Sequence, residues 1–313
     1  FFYSMKKYEQ LQKAFDTSAN GSPLIHLSSQ EASDFVDLIV DKSVLLNKVR
    51  VVKMDRAKLN IGRILSGGRF LQPGGQDVAV ADDKAYKAKT DTITLVTKEF
   101  IGKIEIHDDE IRHSVNGAGI ENTLLGHAAK KIRNELEELI LYSDTTGTFA
   151  TGLESFKVVD GVFKRLKGKS GEVDFSVGFG NQFADNEKFR KMLKTMPVEY
   201  RNGAEFFLNN DVMIDYTANF DNSVNRDAFV DNILSKPANE VPLASFDSKG
   251  ETQVLFTNPQ NIIWGVQIED ASMQFERERV ASKRKTVFYF SIEMDFQVEI
   301  PEAAVVGNKM KTK

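Results

Sequence analysis

Hydrophobic and polar residues alternate most regularly near the C-terminal end of the chain. In residues 288–300 every second position is hydrophobic, and the positions between them include Glu293, Asp295, Gln297 and Glu299. A period of two is typical of a β-strand, in which successive side chains point to opposite faces. Residues 273–280 alternate in the same way, and a basic linker joins them to this stretch. The pattern therefore predicts a long antiparallel hairpin that ends at Pro301.

A helical repeat is clearest between Ile120 and Tyr142. Hydrophobic residues recur there at helical spacing: Ile120, Leu124, Leu125, Ala128, Ile132, Leu136, Leu139 and Ile140. This spacing predicts one long helix with a buried face. We expect the pairs Lys131–Glu135 and Arg133–Glu137 on its solvent side. Each pair should contribute at most about 0.3 kcal/mol, because the basic residue precedes the acidic one, so packing must hold the helix.

A polar, glycine-rich segment separates two strand patterns in the first third of the chain. Residues 49–64 alternate as a strand does, and the strand pattern returns at residues 92–95 and 104–106. Between them, residues 65–89 contain four glycines and a proline in two short clusters, 67–68 and 73–75, together with many charged side chains. Such a segment cannot build a core of its own. The sequence predicts a long hairpin whose tip projects from the body.

The remaining patterns predict an N-terminal arm and a mixed lobe. Residues up to about Leu27 have mixed polarity and are broken at residues 20–23, which favours an extended arm. Ser28 and Glu31 have the spacing of a capping box and predict a short helix through residue 39. Residues 186–196 predict a helix stopped by Pro197, and residues 204–208 predict a strand followed by another helix. Strand alternating with helix indicates a compact α/β lobe.

Composition and charge narrow the classes of protein. The chain has 313 residues, enough for one large or two modest domains. It has 41 Lys and Arg against 45 Asp and Glu, so any contact with nucleic acid must be local. The absence of cysteine excludes disulfides, thiolate catalysis and cysteine-ligated metals. No apolar run approaches the roughly 20 residues of a spanning helix, so no membrane partner is expected.

The glycine motifs for phosphate or dinucleotide binding are incomplete. Gly168-Lys169-Ser170 resembles the end of a phosphate-binding loop, but Phe163 stands where that loop needs its first glycine. Gly178 and Gly180 are not followed by the third glycine of a dinucleotide loop, and a turn is the better interpretation. We therefore predict no cofactor.

One cluster has enough ligands for a metal or a general base, in residues 107–113. Its histidines, His107 and His113, do not have the spacing that zinc-binding helices use, and Asp109 follows a strand as a helix start often requires. We predict no catalytic residue and no metal site. A metal-dependent hydrolase that uses His107, Asp109 and His113 is the less favoured alternative.

Three basic clusters occupy residues 164–169, 283–285 and 309–313. A solvated surface is the simpler interpretation of each. The alternative is a local contact with an acidic neighbouring subunit or with nucleic-acid phosphate, which needs only a few charges.

In order along the chain, these pieces resemble the major capsid proteins of tailed bacteriophages. The resemblance rests on residues 204–211 (AEFFLNND), 241–243 (VPL), 255–265 (LFTNPQNIIWG) and the charged strand 276–279 (ERER) that leads into 288–300. It implies an α+β tailed-phage capsid fold with an N-terminal arm, an extended hairpin loop, a spine helix with a long-stranded peripheral sheet, and a mixed α/β axial domain.

The resemblance implies the following division of the chain. The arm spans residues 1–27, and the peripheral domain begins at 28–64. The extended hairpin loop spans 65–92, and the peripheral domain with its spine helix continues through 93–142. The axial domain spans 143–266, and residues 267–313 complete the peripheral sheet and the C-terminus.

The implied function is structural and not enzymatic. Copies of the chain would form hexamers and pentamers and close an icosahedral head around double-stranded DNA in the virion, after assembly in the host cytoplasm. Expected partners are a scaffold or maturation protease, a portal and a possible decoration protein, and the N-terminus of such precursors is often trimmed. A bacterial nanocompartment (encapsulin-like) shell is the nearest alternative. Inter-subunit contacts are expected at Arg69, Asp82, Asp83, Lys84, Lys87, Lys89, Arg277, Arg279, Glu293 and Asp295.

Overall fold

The structure is a computed structural model, and it describes residues 24–26, 43–65, 89–107, 120–148, 152–179, 181–218, 232–241, 251–268 and 273–311. The strands in this part of the chain are β1 (Leu24–His26), β2 (Arg50–Met54), β3 (Lys58–Leu65), β4 (Lys89–Val96), β5 (Lys98–His107), β6 (Gly171–Asp174), β7 (Glu205–Asn209), β8 (Asn232–Ile233), β9 (Lys236–Val241), β10 (Glu251–Thr257), β11 (Ile262–Gln267), β12 (Met273–Val280), β13 (Lys285–Val298) and β14 (Ala304–Lys311). The helices are α1 (Ile120–Tyr142), α2 (Val162–Leu166), α3 (Asn186–Thr195) and α4 (Asn210–Ala218).

The long strand β13 is the centre of the first sheet. One edge of β13 pairs with β5, and the other edge pairs first with β12 and then with β11, all antiparallel. Phe290 lies opposite Phe275, and Phe296 lies opposite Trp264, so the structure supplies the register. β2 runs parallel to β11, and β1 pairs with β12. The predicted C-terminal hairpin is confirmed, and the last part of the predicted arm, Leu24–His26, is a strand of this sheet.

The predicted spine helix is confirmed as α1, and its buried face packs on the first sheet. Leu136, Leu139 and Ile140 share one core with Phe290 and Phe296. The alternation in β13 places its hydrophobic residues in that core, and burial of each such side chain contributes roughly 1.5–3 kcal/mol. Among the described residues no helix is long and apolar enough to cross a membrane.

The second sheet has the strand order β6, β14, β10, β7, β9, β8. Its core contains Phe189 from α3 and Tyr216 from α4, which meet edge to face, and Phe206 of β7 stacked on Phe256 of β10. The predicted helix at 186–196, the strand at 204–208 and the helix after it are confirmed as α3, β7 and α4. Asp185 caps α3, since its side chain accepts the Lys188 N–H at 3.0 Å, and Pro197 follows the helix end.

The two sheets do not follow the expected boundary at residues 266 and 267. β11, which falls in the expected axial segment, belongs to the first sheet, and β14, which falls in the expected peripheral segment, belongs to the second. The chain crosses between sheets at two short turns, Pro259–Asn261 and Pro301–Ala303. Asn261 joins these turns, because its Nδ2 donates to the Ile300 carbonyl at 2.9 Å and its Oδ1 accepts the Ile300 N–H at 2.7 Å.

Several sequence predictions lie outside the described residues. These are the arm before residue 24, the capped helix at 28–39 and the tip of the projecting hairpin.

Candidate assembly site at the hairpin stem

The two strands on either side of the predicted hairpin tip form a regular stem. β3 and β4 pair antiparallel from Lys58 opposite Val96 to Leu65 opposite Lys89. The predicted strand pattern at residues 58–64 and 92–95 is therefore confirmed. Residues 50–54 and 104–106 are also strands, but they belong to the first sheet as β2 and part of β5. The stem includes Leu65 and all of residues 89–92, so the loop that joins its open end is residues 66–88.

A small hydrophobic cluster attaches the stem to the first sheet. Leu95 of β4 is buried with Met54 of β2 and Ile263 of β11, and further apolar residues of β2 and β3 pack against them. Gly265 makes this approach possible: a Cβ there would lie 2.9 Å from the Met54 sulfur and 3.0 Å from Leu95 Cδ1. The glycine in β11 therefore sets how closely the stem approaches the sheet.

Asp295 connects three elements beside this cluster. Its Oδ2 accepts the Val96 N–H of the stem at 2.9 Å, and its Oδ1 accepts the Arg165 Nη2–H of α2 at 2.9 Å and the Phe296 N–H at 2.8 Å. The Asp295 side chain is 5% exposed. Burial raises the pKa of this carboxyl, while Arg165 and the two backbone N–H groups oppose the rise.

Further polar contacts hold the stem along its length. Gln297 Nε2 donates to the Thr94 carbonyl at 3.0 Å, and Arg63 donates to the Glu299 carbonyl and pairs with Asp91. At the base, the Thr97 hydroxyl lies 3.1 Å from Glu293 Oε2. Side chains of β13 bind backbone atoms of the stem, and the Arg63 side chain of the stem binds the backbone carbonyl of Glu299, so the stem has one defined orientation on the sheet.

The structure assigns Asp295 an intrachain role, although the sequence predicted it as an inter-subunit contact. Both of its oxygens are occupied within the chain, and Glu293 beside it is half-buried. Lys89 is the last paired residue of the stem, and Arg277 and Arg279 lie in β12 opposite Phe288 and Thr286. The other predicted contact residues lie outside the described residues: Arg69, Asp82, Asp83, Lys84 and Lys87.

Several basic residues of the predicted clusters are already paired within the chain. Lys164 pairs with Asp144 at 3.0 Å, and Arg165 pairs with Asp295. Lys285 pairs with Glu105, whose pKa is lowered to about 2 by hydrogen bonds from Lys103 and Lys285. Lys167 and Lys169 remain exposed on the turn after α2.

The chemical motifs weighed from the sequence give no catalytic constellation in the described part of the chain. His107 is exposed at the end of β5, and the rest of its cluster lies outside the described residues. Within the described ranges no three acidic or histidine side chains are grouped as metal ligands would be. Gly168 and Gly178 both adopt positive φ, at 70° and 80°, which confirms a turn at Gly178.

The pH dependence of the unfolding free energy tests the buried position of Asp295. A carboxyl whose folded pKa lies above its unfolded value of 3.8 contributes most to stability below that value, and this contribution is lost as the pH rises through the folded pKa. The variant Asp295→Asn cannot titrate at this position. We expect the wild-type advantage in unfolding free energy over Asp295→Asn to shrink as the pH rises from about 4 towards neutral, by about 1.4 kcal/mol for each unit by which folding raises the pKa.

The measurement is urea unfolding of the unassembled subunit, followed by fluorescence of Trp264, the single tryptophan of the chain. Trp264 is fully buried, so its emission reports loss of the core. Parallel stability curves for the two proteins across this pH range would contradict the assignment.

A long-stranded sheet packed on a spine helix, a second mixed sheet and an anchored hairpin stem define the shell-subunit fold of tailed bacteriophages. A chain of the satellite phage P4 procapsid superimposes with a TM-score of 0.62 at 14% identity, covering 90% of this chain and 99% of that one. The holo-SrpI encapsulin complex from Synechococcus elongatus PCC 7942 gives a TM-score of 0.53 at 9% identity, covering 85% and 87% of the two chains.

The amino-acid sequence is also similar to those of phage capsid proteins. The model of the phage capsid family matches residues 27–309, so the chain belongs to the phage capsid family. It is 24% identical to the putative prophage capsid protein YqbE of Bacillus subtilis (strain 168), over 98% of this chain and all of that one. The resemblance and the α+β capsid fold predicted from the sequence are confirmed. The protein is a major capsid protein with a structural role, and it forms its shell from copies of itself.

Proposed function

We propose that copies of this chain assemble through hexamers and pentamers into an icosahedral head that encloses double-stranded DNA. The observation that carries the proposal is the anchored stem. Hydrophobic packing and side-chain hydrogen bonds fix β3 and β4 on the sheet, so the two stem ends from which loop 66–88 continues have set positions. A rigid stem that carries a polar loop is suited to reach a neighbouring subunit.

The composition of the loop supports the same role. Residues 66–88 are rich in glycine and charge and contain few large apolar side chains. Ordering each residue costs about 1–2 kcal/mol of conformational entropy, which so polar a segment cannot recover by burying itself. An adjacent subunit would supply the missing contacts, with Arg69, Asp82, Asp83, Lys84, Lys87 and Lys89 as the predicted partners.

The two sheets provide the expected domains of such a subunit. The first sheet with α1 corresponds to the peripheral domain, and the second sheet with α3 and α4 corresponds to the axial domain, where capsomer copies would meet. Lys167 and Lys169 are exposed basic residues available to DNA phosphate. A scaffold or maturation protease, a portal and a decoration protein are the further partners expected of this class.

Loop replacement separates folding from assembly. We expect a variant in which Asn-Gly replaces residues 66–88 to fold normally, because the ladder between Leu65 and Lys89 continues directly into a two-residue turn. Its unfolding midpoint should match the wild type, while shell formation measured by sedimentation should fall at least about tenfold, as for a loss of 1.4 kcal/mol or more per contact.

The matched control replaces residues 66–88 with a Gly-Ser segment of the same length, which preserves reach but removes the side chains. This control should also fail to assemble if the loop side chains make the contacts. Normal shells from the two-residue variant would reject the role of the loop.

An encapsulin-like nanocompartment is the second candidate, because the encapsulin superposition covers most of this chain. The content of purified particles separates the two functions. Nuclease-resistant double-stranded DNA inside the particles supports the phage head, whereas a protein cargo without DNA supports the nanocompartment.

A further inference from the structure

Three polar side chains form a closed triangle where the first sheet meets the second. Lys48 precedes β2, Glu205 begins β7, and Asn239 lies in β9. Lys48 Nζ is 2.7 Å from Glu205 Oε2 and 2.8 Å from Asn239 Oδ1. Asn239 Nδ2 is 2.7 Å from the same Glu205 Oε2. One carboxylate oxygen therefore contacts both an amine and the nitrogen of a carboxamide.

Backbone contacts hold all three groups in place. β7 and β9 are paired in parallel, with Phe207 opposite Asn239, so the carboxylate and the carboxamide come from adjacent strands. Asn239 is 8% exposed, and its Nδ2 also lies 3.3 Å from the Phe206 carbonyl. Two acceptors at Nδ2 and a lysine donor at Oδ1 fix the orientation of the amide. The Lys48 carbonyl accepts Gln260 Nε2–H at 2.6 Å, which fixes the lysine backbone.

We propose that this triangle is a site of covalent modification, in which Lys48 and Asn239 of one chain become joined by an amide bond. Glu205 is the group that moves the protons. Lys48 Nζ is placed at the carboxamide, and the Lys48 hydrogen bond to Oδ1 polarises the carbonyl and so makes Cγ more electrophilic. The bond lies within a single chain and involves no residue of the projecting hairpin.

The reaction balances without any added reagent. Glu205 takes a proton from the Lys48 ammonium, and the freed lone pair on Nζ attacks Asn239 Cγ to form the Nζ–Cγ bond. Glu205 then delivers this proton to Nδ2, and the Cγ–Nδ2 bond breaks with its electron pair on nitrogen. Glu205 takes the second proton from Nζ and passes it to the released ammonia. An ammonium group and a carboxamide thus become a secondary amide and an ammonium ion. Lys48 retains contact with solvent, which gives the released ammonia an exit.

A second lysine in the chain serves as an internal comparison. It contacts a carboxylate and an amide oxygen, but the third contact, between the carboxylate and the amide nitrogen, is missing from the described hydrogen bonds. Lys188 Nζ is 2.5 Å from Asp185 Oδ2 and 3.2 Å from Asn181 Oδ1. Among the described contacts, no hydrogen bond joins Asp185 to the amide nitrogen of Asn181, and Asn181 is exposed. The carboxylate there cannot pass a proton to the leaving nitrogen, so we expect no bond between Lys188 and Asn181.

The bond would tie the two sheets together near the start of β2. Residue 48 leads into the first sheet, and Asn239 belongs to the second. A covalent link between such distant positions restricts the unfolded chain, as a long-range disulfide does. The bond would form within a single subunit, so it is expected both in a phage head and in a nanocompartment.

The test is mass spectrometry of the full-length protein, both unassembled and in particles. We expect the intact mass to be lower by one ammonia, and we expect protease digestion to give a branched peptide that contains Lys48 and Asn239. A succinimide at Asn239 would also lose ammonia, but it would leave the two peptides separate. The proposal would be overturned if the peptides that contain Lys48 and Asn239 are separate both in the unassembled protein and in particles, whether or not the intact mass shows the loss of ammonia.

Three variants sharpen the result. Lys48→Arg keeps the positive charge and Glu205→Gln keeps the shape of the carboxyl, and both should retain the full mass while Trp264 fluorescence shows a folded core. Lys188→Arg should still lose one ammonia. A branched peptide that persists at an unchanged level in Glu205→Gln would remove Glu205 from the reaction.

Discussion

Replacing Glu137 with alanine is expected to lower the unfolding free energy of the subunit by about 3 kcal/mol. Glu137 lies on α1 and is 1% exposed. Its Oε1 accepts the Val44 N–H at 2.8 Å, the Leu45 N–H at 3.1 Å and the hydroxyl of Ser43. Alanine would leave these donors without an acceptor, and an unsatisfied buried donor costs about 1–3 kcal/mol.

The effect should extend to the chain that leads into β2. Ser43 Oγ accepts the Leu46 N–H at 2.8 Å, so Glu137 and Ser43 together organise one turn that places Leu45 and Leu46 in the core. Urea unfolding with Trp264 fluorescence measures the change. Glu137→Gln keeps one acceptor oxygen and should lose less than the alanine variant.

The matched control is Glu135→Ala, two positions away on the same helix. The Glu135 side chain is 56% exposed, and its contact with Lys131 is 3.9 Å long. An exposed pair of this kind contributes at most about 0.5 kcal/mol. Equal losses from Glu135→Ala and Glu137→Ala would show that the buried carboxylate does not organise the turn.

Replacing Gly307 with alanine is expected to destabilise the second sheet by about 2–3 kcal/mol. A Cβ on Gly307 of β14 would lie 2.5 Å from two ring atoms of Phe175 and 3.0 Å from the Met192 sulfur. Phe175 and Met192 are fully buried, so neither can move without displacing the rest of the core. Thermal unfolding of the unassembled subunit measures the loss.

Gly62→Ala is the corresponding control in a strand. Nothing lies within 4 Å of a Cβ on Gly62, which is exposed in β3. Alanine there should be neutral or stabilising by up to about 1 kcal/mol, because it reduces the freedom of the unfolded chain. If the two alanine variants unfold alike, the close contact between Gly307 and Phe175 is not present in the protein.

Local patterns in the sequence were sufficient for the elements with one buried face. The alternation in β13 and the repeat in α1 each report a periodic face, and a periodic face depends only on neighbouring residues. The hairpin stem was predicted for the same reason, since a polar, glycine-rich segment lies between two alternating stretches.

The sheet to which a strand belongs could not be read in this way. The residues of β11 and β14 do not show which sheet each strand joins, because the chain changes sheets at the turns containing Pro259 and Pro301. Pro301 was correctly expected to end the hairpin. Only the long-range pairing of β14 with β10 and β6 shows where the chain goes next.

Charged residues with intrachain roles were the other feature that sequence reasoning missed. Glu137 was predicted on the solvent side with Arg133, but it is buried, and Arg133 instead contacts Asn134. The sequence did contain a signal that Glu137 is buried, because the apolar residues Ile140 and Leu141 lie one helical turn after it, on the same face. Both are fully buried in the structure. Asp295 gave no such signal, since its partners Arg165 and Val96 are distant in sequence.

Electron microscopy of the purified protein, expressed with its neighbouring scaffold or protease genes, tests the central claim most directly. The proposed function predicts uniform closed shells in which reconstruction resolves rings of five and six subunits, with residues 66–88 of each subunit lying over its neighbour. A monodisperse monomer that forms no shell at any salt concentration, with or without the scaffold, would contradict it.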